Sequence, residues 1–270
     1  MQSFFENRSF KFGDGFFETL VVRNYKINFL DYHYERILNS FSVLQFELPE
    51  NFSKKWINDT VIKELDLIEN ADASTWRVRI TFWRNGAGLY TPVQHDIDYQ
   101  IETRKLEGDK YLLNEKGLLL GVCDNLRISP DILSPIKSTS ALHYVMAALY
   151  KDKMQFDDCI LLNHNNNIVE SSSSNIFMCK DGKLFTIPLS EGCIDGVCRR
   201  IIISLAQKNE VEVIEKSLKI IDLKYADEIW LTNVVKGIRW VSTINSFPEK
   251  KYASAMANEF TDLLNKSLIH

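Results

Sequence analysis

Apolar periodicity switches repeatedly along this 270-residue chain, between strict alternation and spacings of three and four, in no regular order. That pattern predicts interleaved strands and helices, a mixed α/β (α+β) fold. FFETLVV (16–22) and INFL (27–30) flank a short polar turn and read as a hairpin. Asp31 then stands where it can cap a helix whose Tyr34, Ile37, Leu38, Phe41 and Leu44 fall at helical spacing, ending before Pro49. A second helix is predicted over 53–68, followed by strands near 75–83 and 97–105.

The charged stretch 106–116 is the candidate linker. It divides the chain into a smaller N-terminal α+β domain, 1–112, and a larger C-terminal α/β domain, 113–270. In the latter, GLLLGVC (117–123) is an apolar strand, and TSALHYVMAALY (139–150) a helix apolar on most faces, hence buried. ILLN (160–163) and NIVE (167–170) join through an Asn-rich turn, and SNIFMC pairs with KLFTI across Asp181–Gly182. A helix over 197–208 repeats Cys198, Ile201, Ile202 and Leu205; the strands EVEVIEKSL, EIWLTNV and GIRWV follow, and an amphipathic helix from about 250 closes the chain.

Charge and cysteine usage exclude several classes. With 32 Lys+Arg against 36 Asp+Glu the net charge is −4, so the basic excess of a sequence-blind nucleic-acid binder is missing. No apolar run reaches the roughly 18 residues of a membrane span. The charged N-terminus MQSFFENRSFKFGDG lacks the apolar core of a secretion signal. Five cysteines without CxxC spacing argue against a disulfide framework or a zinc site, and a reducing cytoplasm is expected.

Three places offer chemistry on their own terms. GCIDGVCRR (192–200) is a glycine-bearing turn entering a helix, where backbone N–H groups and the helix dipole favour an anion, although an ordinary strand-to-helix turn looks the same. Lys137 in SPIKSTS borders an apolar helix; its amine can be desolvated for Schiff-base chemistry, or can reach to solvent. Glu170 closes an alternating strand ahead of four serines and Asn175, either as an exposed strand end or as a placed carboxylate. His33 and Arg36, three apart on one helix, read first as a polar face. No HExxH or GxSxG motif is present, so zinc peptidase and serine hydrolase chemistry have no support and no metal is expected.

Taken in order, FGDGFFETL (12–20), DYHYERI (31–37), SPIKSTS (134–140), VESSSSNIF (169–177), GCIDGVCRR (192–200) and ADEIWLTN (226–233) resemble the motifs of fold-type IV pyridoxal-phosphate enzymes, the class IV aminotransferase family. The resemblance implies a two-domain, D-amino acid aminotransferase-like fold and pyridoxal 5'-phosphate as cofactor. It makes Lys137, in the C-terminal domain, the catalytic lysine that binds the cofactor as a Schiff base. Arg36 matches the arginine on the cofactor phosphate, Glu170 the carboxylate at the pyridine nitrogen, and Val197 and Cys198 the amides offered to the phosphate. Cys198 replaces the threonine common there. Thr232 and Asn233 fall near a further phosphate contact. Fewer residues precede the GDG motif than in many relatives, and Leu142 stands where branched-chain aminotransferases carry a tyrosine.

Within the family, WRVRITFWRNGAGLYTP (76–92) is most similar to aminodeoxychorismate lyases. That implies conversion of 4-amino-4-deoxychorismate to 4-aminobenzoate and pyruvate, a step of folate biosynthesis, on a small substrate bearing an amine and two carboxylates. Arg79, Arg84 and Tyr90 become the expected substrate-binding residues, with solvent-facing arginines as the plainer alternative. Two other functions stay open: a class IV aminotransferase acting on branched-chain or D-amino acids, and a catalytically inactive member used as a binding protein. The family also implies a homodimer, and the GAGLY loop (86–90) would need a neighbouring surface to hold it.

Overall fold

The computed structural model describes residues 7–68, 71 and 74–268. The opening six residues of the segment read for a secretion signal lie outside them. Among the described residues no helix is long and apolar enough to cross a membrane. The chain divides into two compact units, 1–109 with 136–141, and 110–135 with 142–270.

The first unit holds a four-stranded antiparallel sheet in the order β2-β1-β3-β4, from β1 (Gly15–Arg23), β2 (Lys26–Ile27), β3 (Thr75–Arg84) and β4 (Ile97–Leu106). Asn24 and Tyr25, both at positive φ, make the tight turn between β1 and β2, the handedness a two-residue hairpin requires. Three helices accompany the sheet: α1 (Arg8–Phe12), α2 (Leu30–Val43) and α3 (Lys54–Leu65). Asp31 lies in the first turn of α2 and does not cap it; Phe29, at φ 55°, precedes the helix without a side-chain bond. Ser53 caps α3, its hydroxyl accepting from Trp56 N at 3.1 Å. Phe16, Phe41 and Phe82 stack edge and face at the centre of the core, joined by Ile37, Ile57 and Val61.

The segment 136–141 belongs to this unit, although it was expected in the C-terminal domain. Phe17 N donates to Lys137 O and Thr139 N to Gly15 O, both at 2.9 Å, and Thr139 Oγ1 donates to Gly13 O at 3.0 Å. These bonds dock the lysine segment onto β1. The pairing joins residues about 120 positions apart in sequence and leaves no mark in local periodicity.

The second unit holds an eight-stranded sheet in the order β10-β9-β8-β11-β12-β5-β6-β7. Its strands are β5 (Leu118–Ile128), β6 (Asp158–Asn163), β7 (Ile168–Ser171), β8 (Asn175–Lys180), β9 (Lys183–Thr186), β10 (Val213–Glu215), β11 (Glu228–Asn233) and β12 (Gly237–Ile244). The pairs β10/β9, β12/β5 and β5/β6 are parallel, the remainder antiparallel. Asp181 and Gly182, at φ 51° and 73°, form the β8–β9 turn where Asp-Gly predicts it. The helices are α4 (Leu142–Lys153), α5 (Val197–Lys208), α6 (Ile220–Leu223) and α7 (Ala255–Lys266). EVEVIEKSL forms only the short β10.

One expectation fails here. Of α4 only Ala147 is buried, while Leu142, Val145, Met146 and Leu149 are exposed. The helix lies on β5 and β6 through one face, with Tyr144 and Tyr150 against the core, and its opposite apolar face is left uncovered in the single chain.

Candidate active site

In the first unit the chemistry gathers around two neighbours on β1, Phe17 and Glu18. Glu18 is a carboxylate inside an apolar strand, fully buried. His33 Nδ1 lies 2.9 Å from its Oε1, and Arg36 Nε donates to Oε2 at 3.0 Å. His33 and Arg36 are both buried, so their three-residue spacing is an inward face of α2 and not the polar outer face. Burial works against ionising Glu18, but the Arg36 guanidinium and His33 overcome it and hold the carboxyl well below the ordinary range. Burial also lowers His33, against the pull of Glu18; its Nε2 is buried without a hydrogen-bond partner.

Phe17 carries two cations on its ring. Lys137 Nζ lies 4.7 Å from the centroid and the Arg79 guanidinium 3.9 Å from it. Arg79 is half-buried on β3 and donates from Nε to Thr81 Oγ1 at 3.2 Å. Burial lowers its pKa, partly offset by Glu102. Arg79 and Lys137 thus both lie against the Phe17 ring.

Arg84 is a correction. Its guanidinium is buried and engaged on every side: Asp14 Oδ2 at 3.1 Å, Gln45 O at 3.1 Å, Leu44 O at 2.6 Å and His95 Nδ1 at 2.7 Å. It ties β3 to the turn after α2, with four of its five N–H groups directed at partners within the protein. Asp14 also accepts from Arg8 Nε at 2.7 Å. Arg8, buried on α1, spends its other nitrogens on the carbonyls of Gly88, Leu89 and Tyr90. The loop carrying Tyr90 is thus held by its own chain, with no need of a neighbouring surface. The Tyr90 side chain itself is 87% exposed, resting beside Phe12.

In the second unit the centre is Glu170, buried on β7. Tyr144 Oη, from the inward face of α4, donates to its Oε1 at 2.6 Å. Ile194 N approaches both oxygens at 3.3 Å, and Asn175 Nδ2 donates to Oε2 at 3.3 Å and to Ile194 O at 2.8 Å. Asn175 lies so close to Gly196 that a Cβ there would sit 1.8 Å from its Oδ1; only glycine fits. Gly196 is the N-cap of α5 and offers no side-chain bond to the first turn, where Val197 and Cys198 are both buried. Burial pushes the Cys198 thiol up to about 12, so it stays neutral.

Thr232 and Asn233 end β11 with different fates. Thr232 Oγ1 is buried without a partner. Asn233 is committed to structure: Nδ2 donates to Ser174 Oγ at 2.9 Å, and Oδ1 accepts from Val235 N and Lys236 N at 3.1 and 2.9 Å, shaping the β11–β12 turn. The serine run has a structural cause as well. Buried Asp158 accepts from Ser172 Oγ at 2.6 Å, Ser171 Oγ at 3.1 Å and Ser173 Oγ at 3.3 Å, folding 171–173 around one carboxylate.

Sequence reasoning passed over Glu18, Tyr144, Asn175 and Arg8. Glu18 had a signal, a lone acid in an apolar alternating strand. Tyr144 was hidden in a helix read as apolar on most faces.

The comparisons with known proteins agree on one family. Residues 15–244 match the model of amino-transferase class IV. An aminodeoxychorismate lyase of Vibrio harveyi is 28% identical over 249 residues, covering 91% of this chain and 88% of that protein. A D-alanine aminotransferase of Listeria monocytogenes is 27% identical over 252 residues, covering 89% and 81%. In three dimensions, a branched-chain aminotransferase of Thermoproteus uzoniensis superimposes with a TM-score of 0.82 at 22% identity, covering 96% of this chain and 86% of that one. With most of its length matched, this chain belongs to the class IV aminotransferase family of pyridoxal-phosphate-dependent enzymes.

Proposed function

We propose that the chain is a lyase converting 4-amino-4-deoxychorismate to 4-aminobenzoate and pyruvate. The supporting observation is the pair of cations on Phe17. A guanidinium and the reactive amine packed on the same aromatic ring suit a substrate carrying carboxylates. Leu142 in place of the branched-chain enzymes' tyrosine, and the likeness to the Vibrio harveyi lyase, lean the same way.

The residues fit pyridoxal 5'-phosphate. Thr232 has a buried hydroxyl in want of a partner, α5 begins with no side-chain cap, and Glu170 is a buried carboxylate held in one plane by several donors. The Val197 and Cys198 amides and the Thr232 hydroxyl would bind the phosphate, as would Arg36, whose guanidinium Glu18 orients. Asn233 contributes through the turn it builds. Glu170 would keep the pyridine nitrogen protonated, and Lys137 would hold the cofactor and carry the substrate's α-proton. When bound, the cofactor supplies the electron sink that makes that proton removable. Arg79 orients a substrate carboxylate.

The reading includes a homodimer in the cytoplasm. The uncovered stripe Leu142, Val145, Met146 and Leu149 is the kind of apolar face a second subunit covers, and five free cysteines suit a reducing compartment. The test is incubation with enzymatically generated aminodeoxychorismate, following 4-aminobenzoate and pyruvate. Parallel reactions with branched-chain and D-amino acids plus 2-oxoglutarate detect an aminotransferase instead. Inactivity in all of them, in protein carrying the cofactor, would point to a binding role.

A further inference from the structure

Side chains alternate across a strand, so β8, β9 and β10 turn Met178 and Lys180, Lys183 and Phe185, and Ile214 and Lys216 to one face of the second unit's sheet. The register sets Met178 opposite Phe185 and Phe185 beside Ile214, an apolar row across three strands. It also sets Lys180 directly opposite Lys183, a like-charge pair that works against the hairpin. Those two lysines stand two residues to one side of the row and Lys216 two residues to the other, about 7 Å each way along the strands. Together with Tyr225, just past α6, they line a groove of about 330 Å³.

The lysines are unequally spent. Lys183 pairs with Glu212 at 2.6 Å. Lys180 and Lys216 have no ion pair among the described residues, and their ammonium groups lie over aromatic rings. Lys180 Nζ is 5.9 Å from the Tyr225 centroid, and Lys216 Nζ 5.1 Å from that of Phe185. The acids facing the groove are Asp181 and Asp222, and Asp222 is engaged, its Oδ2 accepting from Lys219 N at 2.7 Å. We propose that this groove binds a small, flat aromatic dianion. Its ring lies on the row Met178–Phe185–Ile214, one anionic group sits between Lys180 and Lys183, and the other meets Lys216. The apolar floor selects a ring, the cations at both ends select a charge at each end, and a volume at the low end for ligand pockets selects a single ring. An anion between Lys180 and Lys183 turns their repulsion into a clamp. None of these residues belongs to the candidate active site, so the groove stands whichever reaction the chain catalyses.

Terephthalate is the probe, with benzoate (the same ring, one charge) and adipate (two charges, no ring) as controls. Each is titrated into the protein carrying labelled methionine and isoleucine methyl groups. Terephthalate should shift the Met178 and Ile214 methyl signals saturably and bind about fivefold more tightly than either control. Lys180→Gln and Lys216→Gln should each weaken that binding by about fivefold. Glu212→Gln, which releases Lys183 from its ion pair, should strengthen it. Terephthalate shifts that spare the Met178 and Ile214 methyls overturn the proposal, as does equal binding of benzoate or adipate. An affinity unchanged in both lysine variants overturns it too. Met178 and Ile214 signals that move with protein concentration alone would show a second copy of the chain covering the groove, and would overturn it as well.

Discussion

Arg36 grips Glu18 through both carboxylate oxygens, Nε to Oε2 at 3.0 Å and Nη2 to Oε1 at 2.5 Å, with neither residue exposed. A planar guanidinium matched to a carboxylate in this way is held in one orientation, which lysine could not reproduce. The pair joins α2 to β1, so the cation assigned to the cofactor phosphate is fixed by the strand that also carries Phe17.

Glu18→Gln should destabilise the fold by about 3–5 kcal/mol, because it removes the buried negative charge that pairs with the Arg36 guanidinium. The pH dependence follows from the sign of the shift. The folded pKa of Glu18 lies below the ordinary 4.5, so the pairing's contribution is fully present above 4.5 and drains away as pH falls below it. Denaturant melts of parent and variant between pH 7 and 3 check this. The two stability curves should converge toward acid, and parallel curves would contradict the pairing.

Lys137→Ala should abolish the visible absorbance of the bound cofactor and essentially all turnover. Lys137→Arg should fail as well, since a guanidinium stays protonated and is no amine nucleophile. Borohydride reduction of the parent followed by peptide mass mapping should place the modification on Lys137. A variant with a normal spectrum and rate would remove the cofactor assignment.

Glu170→Gln should keep cofactor but lose most of kcat, each ~1.4 kcal/mol of lost transition-state stabilisation being tenfold in rate. An amide cannot hold the proton on the ring nitrogen. Steady-state kinetics at constant cofactor occupancy makes the measurement, and an unchanged kcat would show that the carboxylate acts elsewhere.

Arg79 and Arg84 lie on the same strand and should separate cleanly. Arg79→Met is expected to lower kcat/KM by about 10- to 100-fold, the loss of one charge-assisted contact, with little change in melting temperature. Arg84→Met should instead cost about 2–4 kcal/mol of stability, because the carbonyls of Leu44 and Gln45 lose this donor and Asp14 loses one of its two arginine partners. Kinetics and thermal melts on both variants decide. The reverse assignment of effects would restore Arg84 as a substrate residue.

Sedimentation equilibrium at micromolar protein should return twice the 31.3 kDa chain mass. Leu149→Glu, placing a charge in the uncovered stripe of α4, should shift the protein toward monomer without unfolding it. A fully active monomer would remove the dimer from the proposal.

The features legible in the sequence are those made by neighbours in the chain. Asp181–Gly182 turns β8 into β9 because glycine and aspartate tolerate positive φ, and α5 spans 197–208 because its apolar residues recur at helical spacing just beyond Gly196. The ordered motifs from 12 to 233 likewise carry the family. What the sequence left undetermined involves partners far along the chain. The segment carrying Lys137 joins the first unit through Lys137–Phe17 and Thr139–Gly15 bonds, Arg84 is absorbed by Asp14 and Leu44, and Tyr144 finds Glu170 from a helix whose other face is bare. Periodicity reports which face of an element is apolar; it is silent on what that face meets, because the meeting is set by sheet order and docking across the whole fold.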